Sequence, residues 1–385
     1  MRNAFCTGVN KLNYNDITLL VNGENAFPEI IKSIENAKES IDINMFIWRD
    51  DDIGNKVAAA VLGAADRGVK VNISVDRYGV VLEKCEEAEK SFFHKKQSLS
   101  EKIKIASLKM LYPENCCHRR MRDEYTELYN NIVNHPNITV SADGFKADHS
   151  KYYIIDGEVL FLGGINIEDK ENGCDISGRV YGDYMAKLCG KNYVDAFKKK
   201  LQTGENYLDG IFFGINLKSP ARRFEMEELY LNMIADAKTE LHITMAYFSP
   251  IKEFIDAILK AHERGVRVTL VVPEKANFQN DSNRRTVRKL LRASKGGIEV
   301  YFSPKMLHTK LVVNDSMISF GSTNITKKAF GQLDELNLFL KNNECDFKRA
   351  LYKSIADDIG TSQRVYDYKK VKYNRLLAFF EGFLV

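Results

Sequence analysis

From Glu29 to Val75 the apolar residues keep two different periods. In EIIKSIENAKE they recur three and four residues apart, the spacing of one helix face, and in SIDINMFIW they alternate with polar ones, the spacing of a half-buried strand. AAAVLGAADRGVKVNISVD repeats the order helix then strand, so the segment predicts an α/β fold of βαβ units with parallel strands. Two hundred residues later MEELYLNMIADAKTELHITMAYFSP and DAILKAHERGVRVTLVVPE show the same pattern. Ala37-Lys38 is matched by Ala237-Lys238, and Arg67-Gly68-Val69 by Arg264-Gly265-Val266. Any two α/β units share apolar periodicity, but identical residues in register indicate a duplication.

The copies differ by an insertion of about residues 80–137, charged and helical in pattern (EKCEEAEKSFFHKKQ, then RRMRDEYTELYNNI). A solvated helical excursion and a lid over substrate are its two readings. Two α/β domains are expected: 12–203, carrying the insertion, and 204–385, ending in a basic and apolar tail of about 364–385.

Composition narrows this modestly. A chain of 385 residues exceeds what one core usually supports, and 44% hydrophobic with 28% charged residues excludes disordered and low-complexity classes. The net charge of +4 is too small to imply a nucleic-acid partner. Seven cysteines, Cys6, Cys85, Cys116, Cys117, Cys174, Cys189 and Cys345, are odd in number and lack CxxC spacing, which suggests scattered thiols in a reducing compartment. The start has no signal-peptide pattern, and no run reaches the roughly 18 apolar residues of a spanning helix. The expected location is therefore cytoplasmic, with surface attachment to a membrane left open.

The chemistry lies in ADHSKYYIIDGEVLFLGGINIEDK and MLHTKLVVNDSMISFGSTNITKK. Both place His, then Lys two residues on, then Asp five further on, so the candidate catalytic set is His149, Lys151, Asp156 and His308, Lys310, Asp315. A small-residue turn and an Asn follow each, Gly163-Gly164-Ile165-Asn166 and Gly321-Ser322-Thr323-Asn324. Asn166, Ser322 and Asn324 are candidate phosphate-binding residues. On strand-like backbone, His and Lys one residue apart share a face and can converge on one small anion. Lysine supplies a compact positive charge, and imidazole acts as nucleophile or proton donor near neutral pH. One HxK arises easily by chance; two, each with Asp and Asn in register, do not.

At these residues the sequence resembles the phospholipase D superfamily, whose HxK(x)4D(x)6GSxN signature it matches twice across nearly the whole chain. The resemblance implies two α/β/α sandwich domains related by a pseudo-twofold axis, one active site between them, and neither metal nor other cofactor. It implies that one histidine attacks phosphorus to form a phosphohistidine while the other protonates the leaving alcohol and then activates the incoming alcohol or water. Family habit makes His149 the nucleophile and His308 the acid, with Lys151, Lys310, Asn166 and Asn324 stabilising charge on the phosphoryl oxygens. Asp183 in VYGDYMAKLCG and Glu335 in LDELNLFL fit the habit of orienting each histidine through its second ring nitrogen. Asp156 and Asp315 are expected to order loop and strand rather than touch substrate, or to be plain strand-end turn residues.

In order and spacing the chain is similar to the bacterial cardiolipin synthase branch, in its forms without amino-terminal membrane spans: VNGENAFPEIIKSI, FIWRDDDIG, RGVKV, GGIN, AYFSP and GSTN. It departs at Ser150, where that branch usually has a basic residue, and at ITKKAF, where it has D-x-R-S. The resemblance implies a phosphatidyltransferase joining two phosphatidylglycerols and releasing glycerol, peripheral on the inner face of the cell membrane. Hydrolysis to phosphatidic acid would use every one of the same catalytic residues. Nucleic-acid cleavage is the third reading, permitted by NRRTVRKLLR at 283–292, whose bland alternative is a solvated helix face. The tail sets Lys369, Lys370, Lys372 and Arg375 beside Leu376, Leu377, Phe379, Phe380, Phe383 and Leu384. Such a segment either lies in the headgroups of an anionic bilayer or docks its apolar face on the protein. A phospholipid at an anionic surface is thus the expected partner, and no nucleic acid is expected.

Overall fold

The computed structural model describes residues 16–86, 91–113, 125–173, 180–205, 208, 210–219 and 222–384. The start of the expected first domain at residue 12, residues 87–90 and 114–124 of the insertion, and Cys6, Cys116, Cys117 and Cys174 lie outside these. Cys85 is buried, Cys189 exposed and Cys345 half-buried.

The duplication is visible strand by strand. The first sheet runs Ile17–Val21, Tyr184–Cys189, Val159–Gly163, Tyr152–Ile155, Ser40–Met45, Lys70–Val75, Ile138–Ser141. The second repeats that order as Ile211–Leu217, Glu335–Lys341, Met317–Gly321, Lys310–Asn314, Glu240–Met245, Arg267–Pro273, Glu299–Ser303, with short strands Arg223–Phe224 and Gln363–Val365 added at its edges. Only the last three strands of each set of seven are mutually parallel; the others pair antiparallel. The βαβ expectation therefore covers part of each sheet. The motif segments form hairpins instead, and in the first of them Asp156 and Gly157 both take positive φ, 53° and 66°, as a tight hairpin turn requires.

The repeated dipeptides have a structural task. Gly68 (φ 97°) and Gly265 (φ 90°) end their helices in the left-handed region that glycine enters freely. The preceding arginine reaches back to the end of the earlier helix: Arg67 donates to the Ile34 carbonyl (3.2 Å), and Arg264 to those of Ile234, Ala235 and Ala237 (3.0–3.2 Å). Each half thereby locks its first two helices together.

Alternation along the strands builds the layers. Tyr153, Ile155 and Phe161 face the helices Asn22–Glu35, Asp52–Asp66 and Glu127–Val133 in one core, and a corresponding core covers the outer face of the second sheet. The other faces meet in a third core, where Ile154, Leu160 and Leu162 pack with Leu311, Val313 and Phe320. The two halves are thus joined through sheet faces, and the ends of their motif strands are brought to one place.

Candidate active site

His149 and His308 stand just before the motif strands Tyr152–Ile155 and Lys310–Asn314, and both are buried, at 8% and 6% exposure. Each is held by the opposite half. The His149 N–H donates to the Asp334 carbonyl (2.8 Å) and its Nδ1 lies 3.1 Å from Glu335. Reciprocally, the His308 N–H donates to the Gly182 carbonyl (2.7 Å) and its Nδ1 lies 3.0 Å from Asp183. Two consecutive residues in each half therefore position the histidine of the other, leaving each Nε2 as the ring nitrogen available for chemistry.

Lys151 and Lys310 are fully buried and each donates to the carbonyl of its own histidine, which holds both ammonium groups beside the imidazoles. Lys310 is also 3.5 Å from Asp183. Burial sets the charge state of the cluster. Desolvation, then the two lysines, hold His149 and His308 well below their ordinary range, so both are neutral. Desolvation raises Glu335 to about 8 and Asp183 to about 6, and with the Lys310 charge it lowers Lys151 to about 7. Near neutral pH the raised Glu335 therefore favours its protonated form behind His149, while Asp183, at about 6, is largely ionised behind His308.

The remaining expected residues divide. Asn324 lines the cleft below and accepts from the Tyr247 N–H (3.2 Å), while Asn166 is buried with its Oδ1 unpartnered among the described residues. The Ser322 hydroxyl is committed elsewhere: it donates to Glu335 and accepts from the Leu336 N–H (3.0 Å), so it braces the acid behind His149 instead of presenting itself to a phosphate. Asp156 and Asp315 stay apart from the histidines, and their place in the candidate catalytic set is corrected accordingly. Asp156 accepts from the N–H groups of Lys38, Glu39 and Ser40, and Asp315 from those of Lys238 and Thr239. Each ties its hairpin to the repeated Ala-Lys step, the ordering role expected of it.

Sequence reasoning missed Glu171, fully buried and 3.1 Å from His308 Nδ1. Comparison of the repeats could not reveal it, because the second half carries Lys327-Lys328 in that region. Burial and the neighbouring Asp183 charge push its carboxyl well above the ordinary range. Glu171, Asp183 and His308 are also the group among the described residues whose ligating atoms could hold a metal. The Lys310 ammonium beside Asp183 opposes a divalent cation there, and a proton shared between the two acids meets the same geometry. Also missed was a buried network behind Tyr181, in which Arg49 pairs with Glu168 (2.6 Å) and Glu86 (3.1 Å) and Lys170 with Glu86 (2.6 Å). Tyr181 packs on His308 with ring centroids 5.5 Å apart.

A mostly apolar cleft of about 280 Å³ opens at His149, lined by Phe46, Tyr78, Val81, Leu82, Leu108 and Tyr247 among others. Its wall includes the insertion helices Gly79–Cys85 and Leu99–Leu111, so the insertion flanks the site and is more than a solvated excursion. Lys328, from the departing ITKKAF segment, also lines it and donates to the Tyr78 hydroxyl.

Two reciprocally held His-Lys pairs at the junction of duplicated sheets are the arrangement of the phospholipase D superfamily. The chain belongs to the family described as cardiolipin synthase, phospholipase D-like domain, whose model matches residues 30–176 and 230–356. It is 25% identical over 391 residues to cardiolipin synthase 2 of Staphylococcus epidermidis, covering 96% of this chain and 73% of that one. It is 27% identical over 354 residues to cardiolipin synthase B of Escherichia coli, covering 85% and 76%. Among solved structures it shares the fold of phosphatidylserine synthase from Haemophilus influenzae, with a TM-score of 0.69, 15% identity, and coverage of 97% of this chain and 93% of that one.

Proposed function

We propose that this protein is a phosphatidyltransferase of cardiolipin synthase type. His149 Nε2 attacks the phosphorus of one phosphatidylglycerol, a P–N bond forms, and the P–O bond to glycerol breaks as His308 delivers a proton to the leaving oxygen. A hydroxyl of a second phosphatidylglycerol then gives its proton to His308 and attacks phosphorus, breaking the P–N bond and yielding cardiolipin. Lys151 and Lys310 stabilise the phosphoryl oxygens throughout, with Asn166 and Asn324 as amide donors.

The reading rests on one observation above others: each histidine has its Nδ1 within 3.1 Å of an acid of the opposite half, which leaves two Nε2 atoms to work as a pair. The apolar cleft at His149 suits acyl chains, and the names of the relatives at 25% and 27% identity agree with the substrate class. The enzyme works as a peripheral protein at the anionic inner face of the cell membrane.

The test is mass spectrometry of lipids after incubating the purified protein with phosphatidylglycerol vesicles. Cardiolipin with an equal amount of free glycerol is expected. Phosphatidic acid in place of cardiolipin would make the enzyme a hydrolase, and unchanged lipid with cleavage of DNA would move the substrate class. His149→Ala and His308→Ala should each lower turnover at least ~10³-fold, with the double variant no worse than either, because the pair acts as a unit.

A further inference from the structure

Helix Leu99–Leu111 turns Glu101, Ile105 and Leu108 inward and leaves Leu99, Ile103 and Met110 exposed at 76%, 60% and 77%. Spacings of four and seven residues put these three on one stripe, an exposed apolar surface that a helix facing only water does not carry. Lys102 and Lys104 are exposed beside it, and the single acid of the helix, Glu101, is buried against Arg77 (2.8 Å). Exposed Phe145 adjoins, with Lys104 5.8 Å from its ring centroid.

The carboxy-terminal helix Arg375–Leu384 has the same character. Ala378 and Glu381 face inward while Leu376, Phe379 and Phe380 are exposed at 67%, 56% and 43%. Exposed Lys369, Lys370, Lys372 and Arg375 precede or begin it, and the only acid from residue 369 onward is the buried Glu381. The tail thus docks one face on the protein and leaves the other exposed. The two helices share a support: Tyr112, directly after the first, donates to Glu381 (3.2 Å), which also accepts from the Ser282 N–H (2.6 Å). Ile103 connects this surface to the chemistry, since it lies in the exposed stripe and also lines the cleft that opens at His149.

We infer that the insertion helix and the carboxy-terminal helix together form the face by which the protein docks on an anionic bilayer, with Ile103 at the port through which an acyl chain passes to His149. Two apolar stripes flanked by lysine and arginine, with both of their acids buried, match a surface that is apolar within and negative at its headgroups. A chain moving over Ile103 into the cleft keeps apolar surroundings along the way. This rests on the lipid-transfer reading above and adds to it the place of contact and a task for the insertion.

The test uses the full chain, Leu99→Glu/Met110→Glu and Leu376→Glu/Phe379→Glu. None of these four residues lines the cleft. Flotation with phosphatidylglycerol vesicles should show binding reduced at least ~10-fold in each double variant, and turnover on vesicles should fall with it. Turnover of dispersed short-chain phosphatidylglycerol should stay within about twofold of the parent, which also shows that the variants fold. Unchanged vesicle binding by the Leu99/Met110 variant overturns the shared face. So does a parent protein that is a dimer, with both variants monomeric, because a second copy would then be what covers these stripes. A parent that binds vesicles but converts no phospholipid would instead sink the proposed reaction and leave the docking face standing.

Discussion

Gly164 and Ser322 occupy the same place in the repeated motif, and the acids behind them explain the difference. A Cβ on Gly164 would lie 2.2 Å from Asp183 Oδ2, whereas Ser322 uses its side chain to donate to Glu335. The first half therefore brings its acid against bare backbone and adds Glu171, and the second braces a longer acid with a hydroxyl. Because burial and the Asp183 charge favour the neutral form of the Glu171 carboxyl, Glu171→Gln should retain at least about a third of the turnover and Glu171→Leu far less. Equal damage from both would mean that Glu171 works ionised. Glu335, raised from the ordinary 4.5 to about 8, binds more protons folded than unfolded between those values. Its contribution to stability therefore falls as pH rises through that window. The melting temperature of the parent, relative to Glu335→Gln, should drop from pH 5 to pH 7. Lys151, lowered to about 7, has the opposite slope above that pH, which makes the lower range the clean one to measure.

At the scale of elements, the aspartates of the motif serve the hairpins. Asp156 and Asp315 gather backbone N–H groups at the helix-to-strand step of their own half, in positions open to solvent. Asp156→Ala and Asp315→Ala should each cost roughly 1 kcal/mol of stability, read by denaturant unfolding, and leave kcat within about threefold of the parent. Helix Asn280–Ala293 shows the same economy: Arg284 and Arg288 of the basic run donate to the carbonyls of Glu274 (2.8 Å) and Val371 (3.0 Å). Arg288 ties the helix to the tail and Arg284 ties it to the end of strand Arg267–Pro273, which weakens the case for a basic groove built on this helix.

Over the whole molecule, the third core makes the halves mutually dependent. A chain ending at residue 205 would expose Ile154, Leu160 and Leu162 and would lack the Glu335 that holds His149. Such a fragment should self-associate, as light scattering after size exclusion would report, and should show no turnover. A monodisperse fragment would mean that the sheet faces need no partner.

What the sequence by itself determined is what is encoded locally and twice. Apolar periodicity, the Arg-Gly helix ends, the His-x-Lys spacing and the small-residue turns each act over a few residues, and their repetition made them legible. The family's pattern added Asp183 and Glu335, which no spacing within one half relates to the histidine they hold. Tertiary structure alone decided the rest: which half supplies each acid, that Glu171 joins His308, that the Ser322 hydroxyl turns to an acid, and that the insertion helix walls the cleft. Apart from the Ser322 turn, which lies within the second sheet, these depend on the packing of two sheet faces against each other, which joins residues more than a hundred positions apart. Glu171 and the Ser322 brace carry no repeat because the two halves solve the same burial problem with different side chains.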